Sequence, residues 1–294
     1  MTTTITKLSP AKINLFLEVK NKRSDGYHDI QSLMTFCDFG DMLCVSKSND
    51  FRIKLDGPFS SSLINKENLI HRTLKKLEDL FERNFNVEVV LKKKLPIASG
   101  MAGGSSNAAT FIRCVKEIFK LEEVDGFNEL LLSLGADVPF CYNGKTALVT
   151  GIGEKIKFTK KVKEYFVLLV NPNIEVSTKE IFNNINFKGI SYKEDKIILS
   201  NLIKLEFFKD RSNHLENYAI KQFKIIGEIL SYLSKIKGSV LSRMTGSGAT
   251  CFALFDCIED LEEAEYLTTK RFKDCWIKST KLRNNIKDKT CIKY

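Results

Sequence analysis

Apolar residues recur at every second position in some windows of this chain and at every third or fourth in others, the periods of strands and helices. Ile13, Leu15, Leu17 and Val19 alternate with Asn14, Phe16 and Glu18, which predicts a strand. A shorter strand from Ile5 precedes it, set apart by Ser9-Pro10-Ala11. Two short strands are expected between Met42 and Leu55, and another through Val87, Val89 and Leu91. Leu69, Ile70, Leu74, Leu77, Leu80 and Phe81 share one face, so a helix is predicted over 65–81. Further helices are predicted through Phe111, Val115, Ile118 and Phe119, over 125–134, and as one long helix carrying Tyr218, Phe223, Ile226, Ile229, Leu230 and Leu233. Strands over 146–150, 165–170, 239–244 and 251–255 are followed by a helix over 259–272 and a strand over 275–280. Ser177 or Thr178 caps a short helix containing Phe182, and residues 184–213, rich in Asn and Lys, read as loop. Over 294 residues this mixture predicts an α/β (α+β) fold in two domains, 1–153 and 154–294, hinged at Gly151-Ile152-Gly153-Glu154-Lys155.

Between the strand of Leu91 and the helix of Phe111 runs Pro96-Ile97-Ala98-Ser99-Gly100-Met101-Ala102-Gly103-Gly104-Ser105-Ser106. Gly100, Gly103 and Gly104 carry no Cβ, so their amides can approach a ligand and the backbone can turn through positive φ. The first N–H groups of the helix have no partner within it and sit at the positive end of its dipole. Together they predict an anion site, best matched by a phosphate chain. Ser105 and Ser106 add hydroxyls that can cap the helix, touch phosphate or meet a metal ion. No Lys follows the last Gly, so this is not a Walker A loop, and the spacing of a dinucleotide fingerprint is missing. Gly246-Ser247-Gly248, between two predicted strands, reads either as a hairpin turn or as a second loop against a phosphate chain.

Other candidates are weaker alone. Lys12 opens its strand behind Pro10-Ala11, where a lysine is ordinarily a solvated edge charge. Asp25-Gly26 marks a tight turn followed by Tyr27 and His28, residues that by themselves read as a structural pair. Gly135 suits the end of a helix, and Pro139 should push Val138 out of the helical region. Asp137 is therefore expected on a rigid, non-helical corner, either satisfying turn amides or held as a functional carboxylate. Lys92-Lys93-Lys94 is expected at the surface, with one member free to help neutralise phosphate. Asp38-Phe39-Gly40 spells the magnesium motif of protein kinases, but no ATP lobe or His-Arg-Asp loop precedes it.

Composition narrows the field. Apolar content of 43% and charged content of 28% are ordinary for a globular protein. No apolar run approaches the roughly 18 residues of a membrane span, and Met1-Thr2-Thr3-Thr4-Ile5 does not open a signal peptide. A cytoplasmic protein with no membrane partner is expected. The eight cysteines form no C-x-x-C pair and there are three histidines, so reduced buried thiols are expected rather than a zinc site. The net charge of +10 is spread along the chain among acids, which favours anionic substrates over nucleic acid.

With these pieces placed, the sequence resembles the GHMP small-molecule kinases. Ser9-Pro10-Ala11-Lys12-Ile13-Asn14-Leu15 is similar to their N-terminal motif, Pro96 to Ala109 to their ATP-phosphate loop, and Thr245-Gly246-Ser247-Gly248-Ala249 to their C-terminal glycine loop. Asp25-Gly26-Tyr27-His28 and Gly135-Ala136-Asp137-Val138-Pro139-Phe140 resemble the branch that phosphorylates a cytidine-diphosphate alcohol in non-mevalonate isoprenoid synthesis. One departure is Ala102, where many members carry glycine. The resemblance implies an active site in a cleft between the domains, with ATP and Mg²⁺ as phosphoryl donor. It implies Lys12 and Asp137 as the catalytic pair, and residues 96–106 as the ATP loop, with Ser105 or Ser106 as the metal contact. It further implies Tyr27 and Phe182 sandwiching cytosine, with His28 on the edge of the base. A monomer or weak dimer is expected. The alternatives are a GHMP kinase for homoserine or a mevalonate, which offer no base to stack, and a non-catalytic nucleotide-binding or nucleic-acid-binding protein on the same fold.

Overall fold

The computed structural model describes residues 3–63, 68–185, 203–286 and 291–293. Two long strands, β1 (Thr4–Lys22) and β2 (His28–Lys47), form an antiparallel hairpin turned by Asp25-Gly26, with Gly26 at φ +86°. The break expected at Ser9-Pro10-Ala11 is a register shift within one continuous strand: Pro10 faces Gly40 while Lys12 faces Phe36. Proline donates no ladder hydrogen bond, and an irregularity is where a strand tolerates it. β1 is buried on both faces through its middle, so its polar alternates Asn14 and Glu18 lie inside the protein.

β3 (Arg52–Asp56) and β4 (Val87–Lys92) are parallel neighbours joined through helix α1 (Leu69–Phe81). α1 starts later than expected because the Asn68 side chain accepts from the amide of Ile70. α2 (Gly103–Phe119), α3 (Phe127–Leu134) and α1 cover this half of the sheet around Leu77, Phe85, Phe111 and Val115. β5 (Ala147–Gly151) and β6 (Lys155–Phe158) form a hairpin, so the expected hinge at 151–155 is instead its tight turn, with β5 paired to β2.

Crossing to the second half, β7 (Phe166–Asn171), β8 (Ser239–Met244), β9 (Cys251–Phe255) and β10 (Trp276–Arg283) extend the same sheet. β10 pairs with both β2 and β7, giving the order β11-β1-β2-β10-β7-β9-β8, in which β11 (Cys291–Lys293) lies beside β1. The expected long helix is two, α7 (Glu216–Gln222) and α8 (Lys224–Leu233), because Phe223 takes the extended values φ −134° and ψ 94°. A short α6 (Leu205–Lys209) lies within the segment expected as loop; residues 186–202 of that segment fall outside the described residues. α9 (Ile258–Arg271) closes this half. Cys37, Cys114, Cys141 and Cys251 are buried free thiols, and burial pushes the Cys37 thiol up to about 12, where it is inert.

Candidate active site

The two glycine loops meet under a cleft of about 960 Å³. The amide of Thr250 donates to Ser99 O at 3.2 Å, and the Thr245 hydroxyl reaches Gly100 O at 3.4 Å. A methyl group on Gly100 would sit 2.2 Å from Thr245 O, and one on Gly246 2.7 Å from Gly100 O. These glycines are required by contact between loops. A Cβ on Gly104, by contrast, would meet nothing within 4 Å. Gly104 thus stands open at the cleft, a Cβ on Gly103 would come 3.3 Å from the Lys93 ammonium, and Gly100 serves the loop junction.

α2 begins at Ala102, whose backbone is left-handed at φ 53° and ψ 33° and offers no side-chain cap. Alanine there bears a strain of about 1 kcal/mol that glycine would not. The first helical hydrogen bond runs from the amide of Ser106 to Ala102 O, leaving the N–H groups of Gly103, Gly104 and Ser105 without helical partners at the cleft. Pro96 to Gly100, Ala102, Gly103, Gly104 and Ser105 line the cleft. Met101 does not: its side chain is fully buried in the core, and its carbonyl accepts from the amide of Lys12. Ser106 is also fully buried, its hydroxyl without a hydrogen-bond partner among the described residues, so of the two serines only Ser105 lines the cleft. Gly246 and Ser247 line the cleft; Gly248 does not, and a Cβ there would strike the Met244 sulfur.

Asp137 is not on a non-helical corner. It is the N-cap of α4 (Val138–Asn143), with φ −84° and ψ −11°. Pro139 falls in the first turn, where the missing N–H costs nothing and its fixed φ suits the helix. Gly135 ends α3 as expected, at φ 154° and ψ 151°. α4 is pinned from two sides. Phe140 stacks on Phe36 of β2 at 4.6 Å, and Arg113 of α2 donates to the carbonyls of Cys141 and Tyr142 at 2.9 and 3.1 Å.

The Lys12 ammonium lies 3.3 Å from Asp137 Oδ2 and donates to Asn14 Oδ1 at 3.0 Å. The same Asn14 oxygen accepts from the Gly246 amide at 2.9 Å, tying the pair to the second glycine loop. Lys12 is 4% exposed and Asp137 31%, so the carboxylate keeps an open side toward the cleft.

A second pair underlies the first glycine loop. The fully buried Asp41 accepts from the Lys93 ammonium at 2.7 Å, the amides of Lys94 and Leu95, and the Asn107 side chain. Burial lowers the Lys93 pKa, against the opposing pull of Asp41. Lys93 was expected at the surface; its neighbour Asp41 was not expected to matter at all. No local pattern signals Asp41, because every partner of its carboxylate lies more than fifty positions later.

At the other end of the cleft, Tyr27 stands 59% exposed on the β1–β2 turn. The ring of His28 lies 5.2 Å from that of Phe182, which belongs to helix α5 (Thr178–Asn183), capped by Ser177. Burial and the nearby Lys22 lower the His28 pKa, favouring a neutral imidazole. All three line the cleft, though Phe182 rests on His28 in addition to facing it. Among the described residues no cluster of three or more His, Cys, Asp or Glu could hold a metal ion, and no helix is long and apolar enough to cross a membrane.

Bare amides at a helix start beside an open carboxylate held by lysine suit phosphoryl transfer. Comparison with known proteins agrees. GHMP kinases N terminal domain matches residues 68–145, and GHMP kinases C terminal matches 196–270. The 4-diphosphocytidyl-2-C-methyl-D-erythritol kinase of Chelativorans sp. (strain BNC1) is 33% identical over 285 residues, covering 94% of this chain and 95% of the relative. The same kinase of Wigglesworthia glossinidia brevipalpis is 37% identical over 280 residues, covering 93% and 88%. A crystal structure of 4-(cytidine 5′-diphospho)-2C-methyl-D-erythritol kinase superposes with a TM-score of 0.77 at 25% identity, covering 94% and 98%. Homoserine kinase from Cytophaga hutchinsonii, at 14% identity and TM-score 0.69 with 99% and 97% covered, shares the fold. The chain is thus a GHMP kinase, an ATP-dependent phosphotransferase, and belongs within that group to the 4-diphosphocytidyl-2-C-methyl-D-erythritol kinase family.

Proposed function

We propose that this chain transfers the γ-phosphoryl group of ATP to the 2-hydroxyl of 4-diphosphocytidyl-2-C-methyl-D-erythritol. The observation that carries the mechanism is the open carboxylate of Asp137 held by Lys12 in the cleft lined by Gly103 and Gly104. The phosphate chain lies on the α2 amides, with magnesium arriving as part of the nucleotide substrate and the Ser105 hydroxyl as the side chain placed to reach it. Asp137 orients the alcohol and takes its proton as the oxygen bonds to phosphorus and the bond to the β-phosphate oxygen breaks, releasing ADP. Lys12 holds the carboxylate and offsets charge on the transferring group, which is how such loose transition states are supported. Tyr27, His28 and Phe182 hold the cytosine, with stacking worth about 1–3 kcal/mol per base. The enzyme works in the cytoplasm as a monomer or weak dimer.

The decisive experiment follows ADP formation with purified protein, ATP and Mg²⁺. ADP should appear when the cytidine-diphosphate alcohol is added, and not with homoserine or mevalonate. Turnover of either of those without the cytidine substrate would redirect the assignment.

A further inference from the structure

The charged side chains lining the cleft form a short series, and nearly all are neutralised by a neighbour. Lys12 faces Asp137 at 3.3 Å, Lys93 faces Asp41 at 2.7 Å, and Asp25 faces Arg23 at 3.0 Å. Lys179 is different. It is exposed, lines the same cleft, and has no ion-pair or hydrogen-bond partner among the described residues. It sits in the first turn of α5, one residue after Thr178. A cleft-facing ammonium with no partner in the protein is available to a ligand of opposite charge.

Its position within the cleft says which charge. Lys179 precedes Phe182 by three residues and so shares its helical face; both line the cleft. On the other side of Lys179, the Thr178 hydroxyl is 2.8 Å from that of Ser247. Ser247 follows Gly246, whose amide is bound by Asn14, the residue that also holds Lys12. Lys179 therefore lines the cleft between two anchored neighbours on α5, Phe182 against His28 and Thr178 against Ser247 of the second glycine loop.

We propose that Lys179 is a specificity-determining residue that binds the diphosphate of a cytidine-diphosphate substrate, between its base and its reacting hydroxyl. This rests on the functional reading above and assigns the cation which that reading leaves open. A charge-assisted contact of this kind is worth about tenfold in affinity.

The test uses the intact enzyme and three proteins: wild type, Lys179→Met and Lys179→Arg. Lys179→Met should raise KM for the cytidine-diphosphate alcohol about tenfold while leaving KM for ATP within about twofold, and Lys179→Arg should recover most of the loss. A readout independent of turnover is calorimetric binding of cytidine 5′-diphosphate and cytidine 5′-monophosphate with ADP saturating. Wild type should prefer the diphosphate, and Lys179→Met should lose that preference. Equal preference in wild type and Lys179→Met overturns the role of Lys179, whatever the turnover. If wild type prefers the diphosphate through Lys179 yet makes no ADP with the alcohol, the functional reading fails while the diphosphate site stands.

Discussion

Two lysine–aspartate pairs border the same cleft, and they are built to opposite specifications. Asp41 is sealed from water and its oxygens are filled by one ammonium, two backbone amides and a carboxamide. Asp137 touches Lys12 at a longer 3.3 Å, caps no amide of its own helix, and keeps nearly a third of its side chain exposed. A saturated carboxylate can only hold its surroundings in place, here the entry to the first glycine loop. An unsaturated one retains lone pairs for something that arrives. Burial and filled lone pairs together mark Asp41 as scaffold, and their absence leaves Asp137 free to meet a ligand.

The sharpest way to break that contrast is Asp137→Asn, which keeps the shape and removes the base. kcat should fall about 10²–10⁴-fold with ADP affinity unchanged by calorimetry; wild-type turnover in this variant would make Asp137 scaffold too. Asp41→Ala reverses the expectation. It strands a buried ammonium, so stability to urea should drop by about 3–5 kcal/mol, and any loss of activity should follow from unfolding. A milder pair separates the glycines in the same way. Gly100→Ala forces a methyl against Thr245 O and should destabilise by about 1–3 kcal/mol. Gly104→Ala, which meets open space, should fold as well as wild type yet raise KM for ATP. The smallest effect concerns His214, whose Nδ1 accepts from the amide of Val19 at 3.1 Å and whose pKa is lowered below 6.5 by burial. As pH falls below 6.5 the unfolded chain takes up a proton that the folded chain resists, so stability declines toward acid; above 6.5 its contribution is complete. His214→Gln should flatten that decline in urea titrations between about pH 7 and 5.

The periodic signal disclosed the sheet-forming and helical segments well, because period-two and period-three-to-four burial are local properties. The glycine run and the cap of α5 at Ser177 were legible for the same reason: each acts on amides a few positions away. What stayed hidden was set by distant partners. Asp41 owes its role to residues 52 to 66 positions later, and no local pattern marks it. Pro139 misled because the rule against proline holds inside a helix and lapses in its first turn. Phe223 kept the helical period across a break, since the same hydrophobic face continues on either side of it.

The contacts from Ser99 and Gly100 to Thr250 and Thr245 have a consequence for synthesis. A nascent chain emerging from the ribosome carries its first glycine loop long before the Thr245 hydroxyl and Thr250 amide that brace it exist. The loop can take its braced form only after translation has passed residue 250, so its final shape belongs to the finished fold rather than to its own half.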